Sequence, residues 1–516
     1  MDSRERVPLG ERVTASVTKA RGKGESFTLV VLQGNHLPTI YVETGEGGVE
    51  SVRVNKGNKT QAAVVAVDAK GTSTFTGMCS LRGRGNTTFS AAKPPFNLNF
   101  PQAVSLTQEG DSARQWCLLA NYADESQLHN AICFHIANEV GIPYTCHLQF
   151  VSLYVNGEYY GLYNLATKQY YLRDAETKVA AVFEKTGDDR AYDKASLRGF
   201  CFRTRHGGSD SICDAIDTFE EALYSDTATL WELERYADVQ SILRKYFVDA
   251  VCANSDISFS QYFMLDEARR IASMCAWDYD LSYGSAWAYP DLSYNRIIET
   301  FPWYNALFQK EGFRQGLLSM LDQYEDLLSA SFPALTDSLC RLVGEDWRMN
   351  ALRWRNAPPA WGGNGKLKAE GYDFTTLEGN KAYIDDFMAR RYAFLRDYWQ
   401  HPDEYCKLRF MYNGSWIALR CRKGERLTED MLPGGMLSMP EEGFMGWYTN
   451  DGVSVTDVGV VTQDMTFEER CESSKGKLSS LLHKLSPMRL LLLAFALLLL
   501  TLLIKAVVIP IKEARR

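Results

Sequence analysis

Residues 253–284 read ANSDISFSQYFMLDEARRIASMCAWDYDLSYG, and this stretch decides how the rest of the chain is read. Tyr262–Leu265 and Ile271–Trp277 are apolar runs of strand length, and Asp266–Arg270 between them is polar, so an antiparallel hairpin is predicted. Glu267 lies at its turn, with Asp256 eleven residues before it and Asp278 eleven residues after. Residues equidistant from such a turn face each other, their Cα atoms roughly 5 Å apart. Asp256, Asp278 and Asp280 are therefore expected to converge at the open end of the hairpin.

Carboxylates grouped in this way repel unless a cation or a shared proton compensates. A magnesium ion carrying nucleotide phosphates is the commonest reason to build such a group. Protein kinases carry a catalytic aspartate before a hairpin and a metal-binding aspartate after it, which is the same order. The alternative for each residue taken alone is a solvated turn or cap. Trp277 and Tyr279 alternate with the aspartates and are expected to pack inward.

Working outward, residues 27–100 read as short strands separated by Gly, Asn and Asp turns: FTLVVL, TIYVET, AAVVAV, CSLRGRG and PFNLNF. A helix follows, with Leu128, Ile132, Ile136 and Val140 at four-residue spacing, Asp124 or Ser126 to cap its start and Gly141 to end it. QFVSLYV and EYYGLYNL flank Asn156-Gly157, a pair suited to the two positive φ angles of a type I′ hairpin turn. From Cys213 to Trp399 the pattern is mainly helical, and 404–470 returns to short strands.

The chain has 516 residues, 46% apolar and 23% charged, which excludes a disordered or collagen-like protein. Its net charge of −8 argues against non-specific nucleic-acid binding, so no nucleic-acid partner is expected. The 12 cysteines form no CxxC pair and no zinc-spaced cluster. Leu490–Ile504 reads LLLLAFALLLLTLLI, and with AVVIP beyond Lys505 the apolar stretch reaches roughly 20 residues, enough to cross a bilayer. The first residues contain no apolar run of signal-peptide type.

On these residues the chain resembles the CotH family of atypical secretory protein kinases. The matching segments lie in order between residues 36 and 400: LRGRGNTTFSAAKPPFNLNF, WCLLANYADESQLHNAICFHIANEVG, VSLYVNGEYYGLYNL, the ANSD…QYFML stretch, WDYDLSYG and LRDYW. The resemblance implies an α+β, two-lobed, kinase-like fold with a β-rich N-lobe and a helical C-lobe. It also implies transfer of the ATP γ-phosphoryl group to protein serine or threonine with Mg2+ or Mn2+. Asp256 takes the catalytic place, and Asp278 the metal-binding place with Asp280 as a second ligand. Arg82, Gly83, Gly85, Asn86 and Lys93 take nucleotide or phosphate-binding places. Gln261 stands where the family often has Asn, and can ligate a metal through its carbonyl.

Asn99 and Ala166-Thr167-Lys168 also depart from the family, which commonly has a lysine and a glutamate there. These losses are compatible with a second function, a weak or inactive kinase-fold surface scaffold or adhesin. Residues 404–470, with GFMGWY and VTQDMTF, resemble a Listeria–Bacteroides repeat of internalin B type, a small β-grasp module. The expected organisation is a flexible segment 1–26, a kinase-like domain 27–403, the β-grasp module 404–470 and a linker 471–488. A transmembrane helix at 489–511 and a basic tail at 512–516 follow. A cell-membrane protein anchored in the lipid bilayer, with an extracytoplasmic body acting on a protein substrate, is the expectation.

Overall fold

Strand-forming residues between 39 and 167 close on themselves. The computed structural model describes residues 12–18, 24–30, 37–106, 111–168, 181–186, 192–257, 259–285, 293–354, 371–412, 415–428 and 444–471. β1 (Arg12–Thr18) and β2 (Gly24–Val30) form an antiparallel ribbon. The barrel strands are β3 (Thr39–Thr44), β4 (Thr60–Val67), β5 (Ser73–Gly83), β6 (Phe96–Val104), β7 (Ala113–Leu119), β8 (Gln149–Val155) and β9 (Glu158–Thr167). Their order is β3-β4-β5-β6-β7-β9-β8, and β8 returns to pair with β3 in parallel, Thr39 opposite Ser152 and Val42 opposite Val155.

The cause is a one-sided apolar pattern. Along β4, Ala62, Val64 and Ala66 are buried while their neighbours are not, the period of two expected of a strand with one covered face. Closing the sheet brings Val64, Leu81, Leu98, Trp116, Leu153 and Leu165 into one core, with Val49 and Val52 of the short helix α1 (Gly48–Val54) in the same core. Each fully buried side chain of this kind is worth about 1.5–3 kcal/mol. At the β8–β9 turn Asn156 and Gly157 have φ of 50° and 78°, as the Asn-Gly pair predicts.

The helix expected after the strands is α2 (His129–Val140). Ser126 Oγ accepts from Leu128 N–H (3.0 Å) and Asp124 Oδ2 from His129 N–H (2.8 Å), so both predicted caps act; Gly141, at φ 78°, ends it.

A second sheet follows from β10 (Ala181–Thr186), β11 (Lys194–Ala195), β12 (Cys201–His206), β13 (Tyr262–Leu265) and β14 (Ile271–Met274), in the order β11-β12-β10-β13-β14. Its aromatic face stacks Phe183 on Phe263 (5.4 Å between ring centres) and sets Trp303 against Phe263 (5.1 Å). The helices around it are α3 (Ser209–Leu223), α4 (Leu230–Leu233), α5 (Val239–Val251), α6 (Pro302–Phe308), α7 (Glu311–Gln323), α8 (Glu325–Leu328), α9 (Phe332–Trp354) and α10 (Leu377–Gln400). Arg391 of α10 is buried, and its guanidinium donates to the carbonyls of Ala250 (2.8 Å) and Tyr294 (2.7 Å). A cation at the last turn of α5 complements the negative end of that helix.

β15 (Tyr405–Tyr412), β16 (Ser415–Arg422), β17 (Phe444–Thr449) and β18 (Met465–Cys471) make a four-stranded sheet. The chain divides into two compact units. One comprises Met1–Arg409, Ile417–Met439 and Val458–Met465; the other comprises Phe410–Trp416, Pro440–Asp457 and Thr466–Arg516. In the smaller unit Phe410 stacks on Phe467 (5.0 Å) with Trp447 at its edge (5.6 Å).

The expected fold class is corrected. In place of a β-rich N-lobe followed by a mainly helical C-lobe with one hairpin, the fold is mixed α+β with a closed seven-stranded barrel and a second, five-stranded sheet among the helices. Alternation in a sequence reports which face of a strand is covered, and says nothing of whether the outer strands meet. Among the described residues of 405–471 there are strands and 3-10 turns but no α-helix, and residues 429–443 of the segment likened to a β-grasp module lie outside the described residues. Finally, no helix of the described residues is long and apolar enough to cross a membrane, and the segment 489–511 read as a span lies outside the described residues.

Candidate functional site

β13 and β14 pair as the sequence predicts, but one residue out of the expected register. Tyr262 faces Met274 and Leu265 faces Ile271, which centres the hairpin on Ala268 instead of Glu267. Ordered pairing also stops at Met274. Cys275 N–H donates to Pro143 O (2.7 Å) and Ala276 N–H to Thr145 Oγ1 (3.0 Å), so the chain leaves the sheet before Trp277. The two acid-bearing segments then meet again, with Ser255 N–H on Leu281 O (3.0 Å) and Tyr283 N–H on Cys252 O (3.1 Å). The side chain that meets Asp278 is Ser260, whose hydroxyl donates to Oδ2 at 2.9 Å. Both Ser260 (φ 55°) and Asp278 (φ 64°) hold left-handed backbone, unfavourable for non-glycine residues and concentrated at functional sites.

Asp278, Asp280 and Asp124 form the acidic side of the site. Asp280 is 9% exposed, and its carboxyl is pushed up to about 8 by burial first and then by the negative charges of Asp278 and Asp124, against the opposing charge of Arg84. Asp124 comes from the cap of α2, where its Oδ1 also accepts from Ser126 Oγ (2.6 Å). His129 in the first turn of α2 sets its Nδ1 3.1 Å from the backbone oxygen of Asp280. The start of the helix and the acid-bearing loop are thus tied together.

The basic side comes from the end of β5. Alternation turns Arg82 and Arg84 to one face and Gly83 to the other. A Cβ at Gly83 would meet Phe89 Cε2 at 2.6 Å and the Val52 carbonyl oxygen at 2.7 Å, so this glycine serves close packing against α1. Gly85 (φ 87°) makes the turn, and Asn86 is exposed, its Oδ1 accepting from Lys56 Nζ (2.8 Å). Arg84, which the sequence reading passed over, lies with its guanidinium 5.3 Å from the centre of the Trp277 ring. Arg82 Nε is buried without a hydrogen-bond partner among the described residues. Lys168, just past β9, joins them. Burial lowers it to about 8, and the charges of Arg82, Arg84 and Arg205 act in the same direction, against that of Cys117. Mutually repelling cations partly withheld from water favour a bound polyanion.

Lys93 does not reach out of the structure. It is 1% exposed, its Nζ donates to Gln127 Oε1 (2.7 Å) and Leu162 O (2.5 Å) over the Tyr163 ring, and burial holds it well below the ordinary lysine value. It joins the barrel to the turn leading into α2. Gln261 is equally buried; its Oε1 accepts from Tyr304 OH (3.5 Å) and its Nε2 has no partner among the described residues.

Asp256 is half-buried, with its N–H on Asn254 Oδ1 (2.9 Å). Its charged neighbour is Lys185 of β10, a second residue absent from the sequence reading. Burial lowers Lys185 to about 8 and Asp256 opposes the shift. The Lys185 ammonium lies 5.6–5.8 Å from the ring centres of Phe301, Phe200 and Phe259. Of the predicted residues, Asp278 and Asp280 lie together, and Arg82 lies with Lys168, the two groups meeting at Arg84. Gly83 and Asn86 face elsewhere, and Lys93 and Gln261 are internal.

Among the described residues no three His, Cys, Asp or Glu side chains form a group able to hold a metal. Asp278 and Asp280 remain as a pair of close, mutually repelling carboxylates. That donor set fits a magnesium-type ion, which characteristically takes one or two carboxylates and completes its shell with phosphate oxygens and water.

Sequence signals for the missed residues are uneven. Arg84 stands two positions from Arg82 and so shares its face. Lys168 and Lys185 reach the site only through the closure of the barrel and the pairing of β10 with β13, Glu184 opposite Tyr262. No curated protein matches the chain. The family described as CotH kinase protein matches residues 81–395, more than half of the 516 and ending before the segment likened to a Listeria–Bacteroides repeat. That match spans Arg82, Arg84, Lys168, Asp256, Asp278 and Asp280 together, and the chain belongs to the CotH kinase protein family.

Proposed function

We propose that this chain is a phosphotransferase of the protein-kinase type, moving the γ-phosphoryl group of ATP to a serine or threonine hydroxyl of a protein. The observation that carries the reading is the place of Arg84, whose charge acts with that of Arg82 on Lys168 and also acts on Asp280, the neighbour of Asp278. A polyphosphate needs cations on one flank and cation-binding carboxylates on the other, and catalysis of its transfer is chiefly positioning and charge stabilisation.

Arg82, Arg84 and Lys168 bind and orient the phosphate chain. Asp278 and Asp280 would hold a magnesium or manganese ion, which when bound neutralises phosphate charge. Asp256 accepts the proton of the acceptor hydroxyl as its oxygen bonds to the γ-phosphorus. The bond from that phosphorus to the bridging oxygen breaks, and its electron pair leaves on ADP. Lys185, beside Asp256, offers a positive charge to the group in transfer.

Thermal melting of the full chain with ATP and magnesium tests this reading. A ligand that binds only the folded state raises Tm by mass action. Asp278→Ala should abolish the metal-dependent rise, whereas Asp256→Ala should keep it and lose turnover by at least roughly 100-fold, as expected for loss of a general base. A folded wild-type chain whose Tm is unmoved by millimolar MgATP would refute it. That result would favour the second reading, a kinase-fold scaffold, which the inward-turned amide of Gln261 supports.

A further inference from the structure

Asp249 lies fully buried in α5 and accepts from four other side chains. Lys245, one turn earlier, donates to both oxygens (2.7 and 2.8 Å). Tyr279 OH donates to Oδ1 (2.7 Å), Asn254 Nδ2 to Oδ1 (3.1 Å) and Tyr304 OH to Oδ2 (3.0 Å). An ion pair that only filled the core would need Lys245 alone. The remaining donors come from where the acids are carried. Asn254 uses its other end, Oδ1, to accept the N–H of Asp256 (2.9 Å). Tyr279 stands between Asp278 and Asp280, and its own N–H donates to Asn130 Oδ1 (2.9 Å) of α2.

These segments do not hold themselves in place. Ala253 (φ 50°), Asp278 (φ 64°) and Tyr283 (φ 50°) are non-glycine residues in left-handed backbone, a conformation that persists only where the surroundings impose it. We infer that Asp249 is a positioning residue, one buried carboxylate that sets Asp256 through Asn254 and the Asp278–Asp280 segment through Tyr279. What those acids do rests on the phosphotransfer reading; the clamp itself does not. Lys245 supplies the countercharge to Asp249, and both carboxylate oxygens are hydrogen-bonded, the condition under which a buried polar cluster rigidifies its surroundings.

Tyr304 provides the control. Tyr279→Phe and Tyr304→Phe each remove one hydroxyl donor from the same carboxylate, but Tyr304 belongs to α6, and its other hydrogen bond, to Gln261 Oε1 (3.5 Å), falls outside residues 253–257 and 276–284. Hydrogen exchange on the full-length chain should rise across residues 276–284 in Y279F and stay at the wild-type level there in Y304F. With MgATP as the probe, kcat should fall roughly tenfold in Y279F, the scale of a small misplacement of reacting groups, and remain within about twofold in Y304F. Equal exchange and equal kinetic loss in the two variants, or no change in Y279F, would overturn the inference. Should Y279F fail to fold, Asn254→Ser decides the matter: exchange must rise at residues 253–257 in N254S and not in Y304F. A wild-type chain without MgATP turnover would count against the phosphotransfer reading alone, and the exchange comparison would still judge the clamp.

Discussion

Lys168 shows how a single residue can serve binding at a cost to folding. Its ammonium is lowered to about 8 in the folded protein, from an ordinary 10.5, chiefly by burial and then by the neighbouring arginines. A lysine with a lowered folded value penalises the folded state fully below that value, and the penalty fades as pH rises from about 8 to 10.5. Lys168→Met should therefore stabilise the chain at neutral pH, by roughly 1 kcal/mol after allowance for solvent screening. The same variant should bind MgATP more weakly. In the wild type, affinity for ATP without metal should fall as pH rises through about 8, where the Lys168 ammonium discharges and Asp280 ionises, and isothermal titration between pH 6.5 and 9 should show a flatter profile in K168M. An unchanged profile would assign the titration to Lys185, lowered to the same value. Neither lysine announces itself in the sequence, because a lysine at the end of a strand is ordinary until other cations are folded against it.

Among the elements, the end of β5 and the β13–β14 hairpin show how strand geometry distributes function. RGRGN reads as one motif, yet a strand sends alternate residues to opposite faces, so the arginines and Gly83 do different things. Gly83→Ala would push a methyl group into Phe89 and the Val52 carbonyl, and overpacking of this kind costs typically about 1–3 kcal/mol. Chemical denaturation should show that loss, with MgATP binding reduced only as far as Arg82 and Arg84 are displaced. The hairpin itself was legible: its existence, its polar turn and its carboxylates all follow from residue order. Its register was not. The turn closes with Asp266 N–H on Arg270 O and Arg270 N–H on Asp266 Oδ1, which centres it on Ala268, and counting from the most polar residue misses by one. A slip of one residue changes which side chains face each other, and beyond Met274, where ordered pairing ends, Ser260 is the side chain that meets Asp278.

At the scale of the whole molecule, residues of β16 that follow Trp416 belong to the larger unit. Ile297 N–H donates to Ala418 O (3.0 Å), Arg420 N–H to Asn295 O (3.1 Å) and Asn295 Nδ2 to Arg420 O (2.9 Å), all within that unit. A chain ending at residue 403 leaves these groups unpaired next to Arg391 and α10. At about 1 kcal/mol for each hydrogen bond, such a truncation should lower Tm by several degrees. An unchanged Tm by calorimetry would mean that 404–516 contributes nothing to the stability of the larger unit.

What the sequence determined by itself was whatever a short stretch of chain can enforce. The Asn156-Gly157 turn, the capped helix α2 and the β13–β14 hairpin depend on backbone preferences and hydrogen bonds within a few residues. Family membership also follows from motif order, and with it the choice of Asp256, Asp278 and Asp280 as the acids worth testing. Tertiary structure alone decided the closure of the barrel, since the parallel pairing of β3 with β8 joins residues more than 100 positions apart. It alone set Arg82, Arg84 and Lys168 against the carboxylates, turned Lys93 and Gln261 inward, and gathered two acid-bearing segments around Asp249. The physical reason is common to all of these: charge effects and burial depend on distance in space, and no local pattern encodes distances between elements that meet only when the chain has folded.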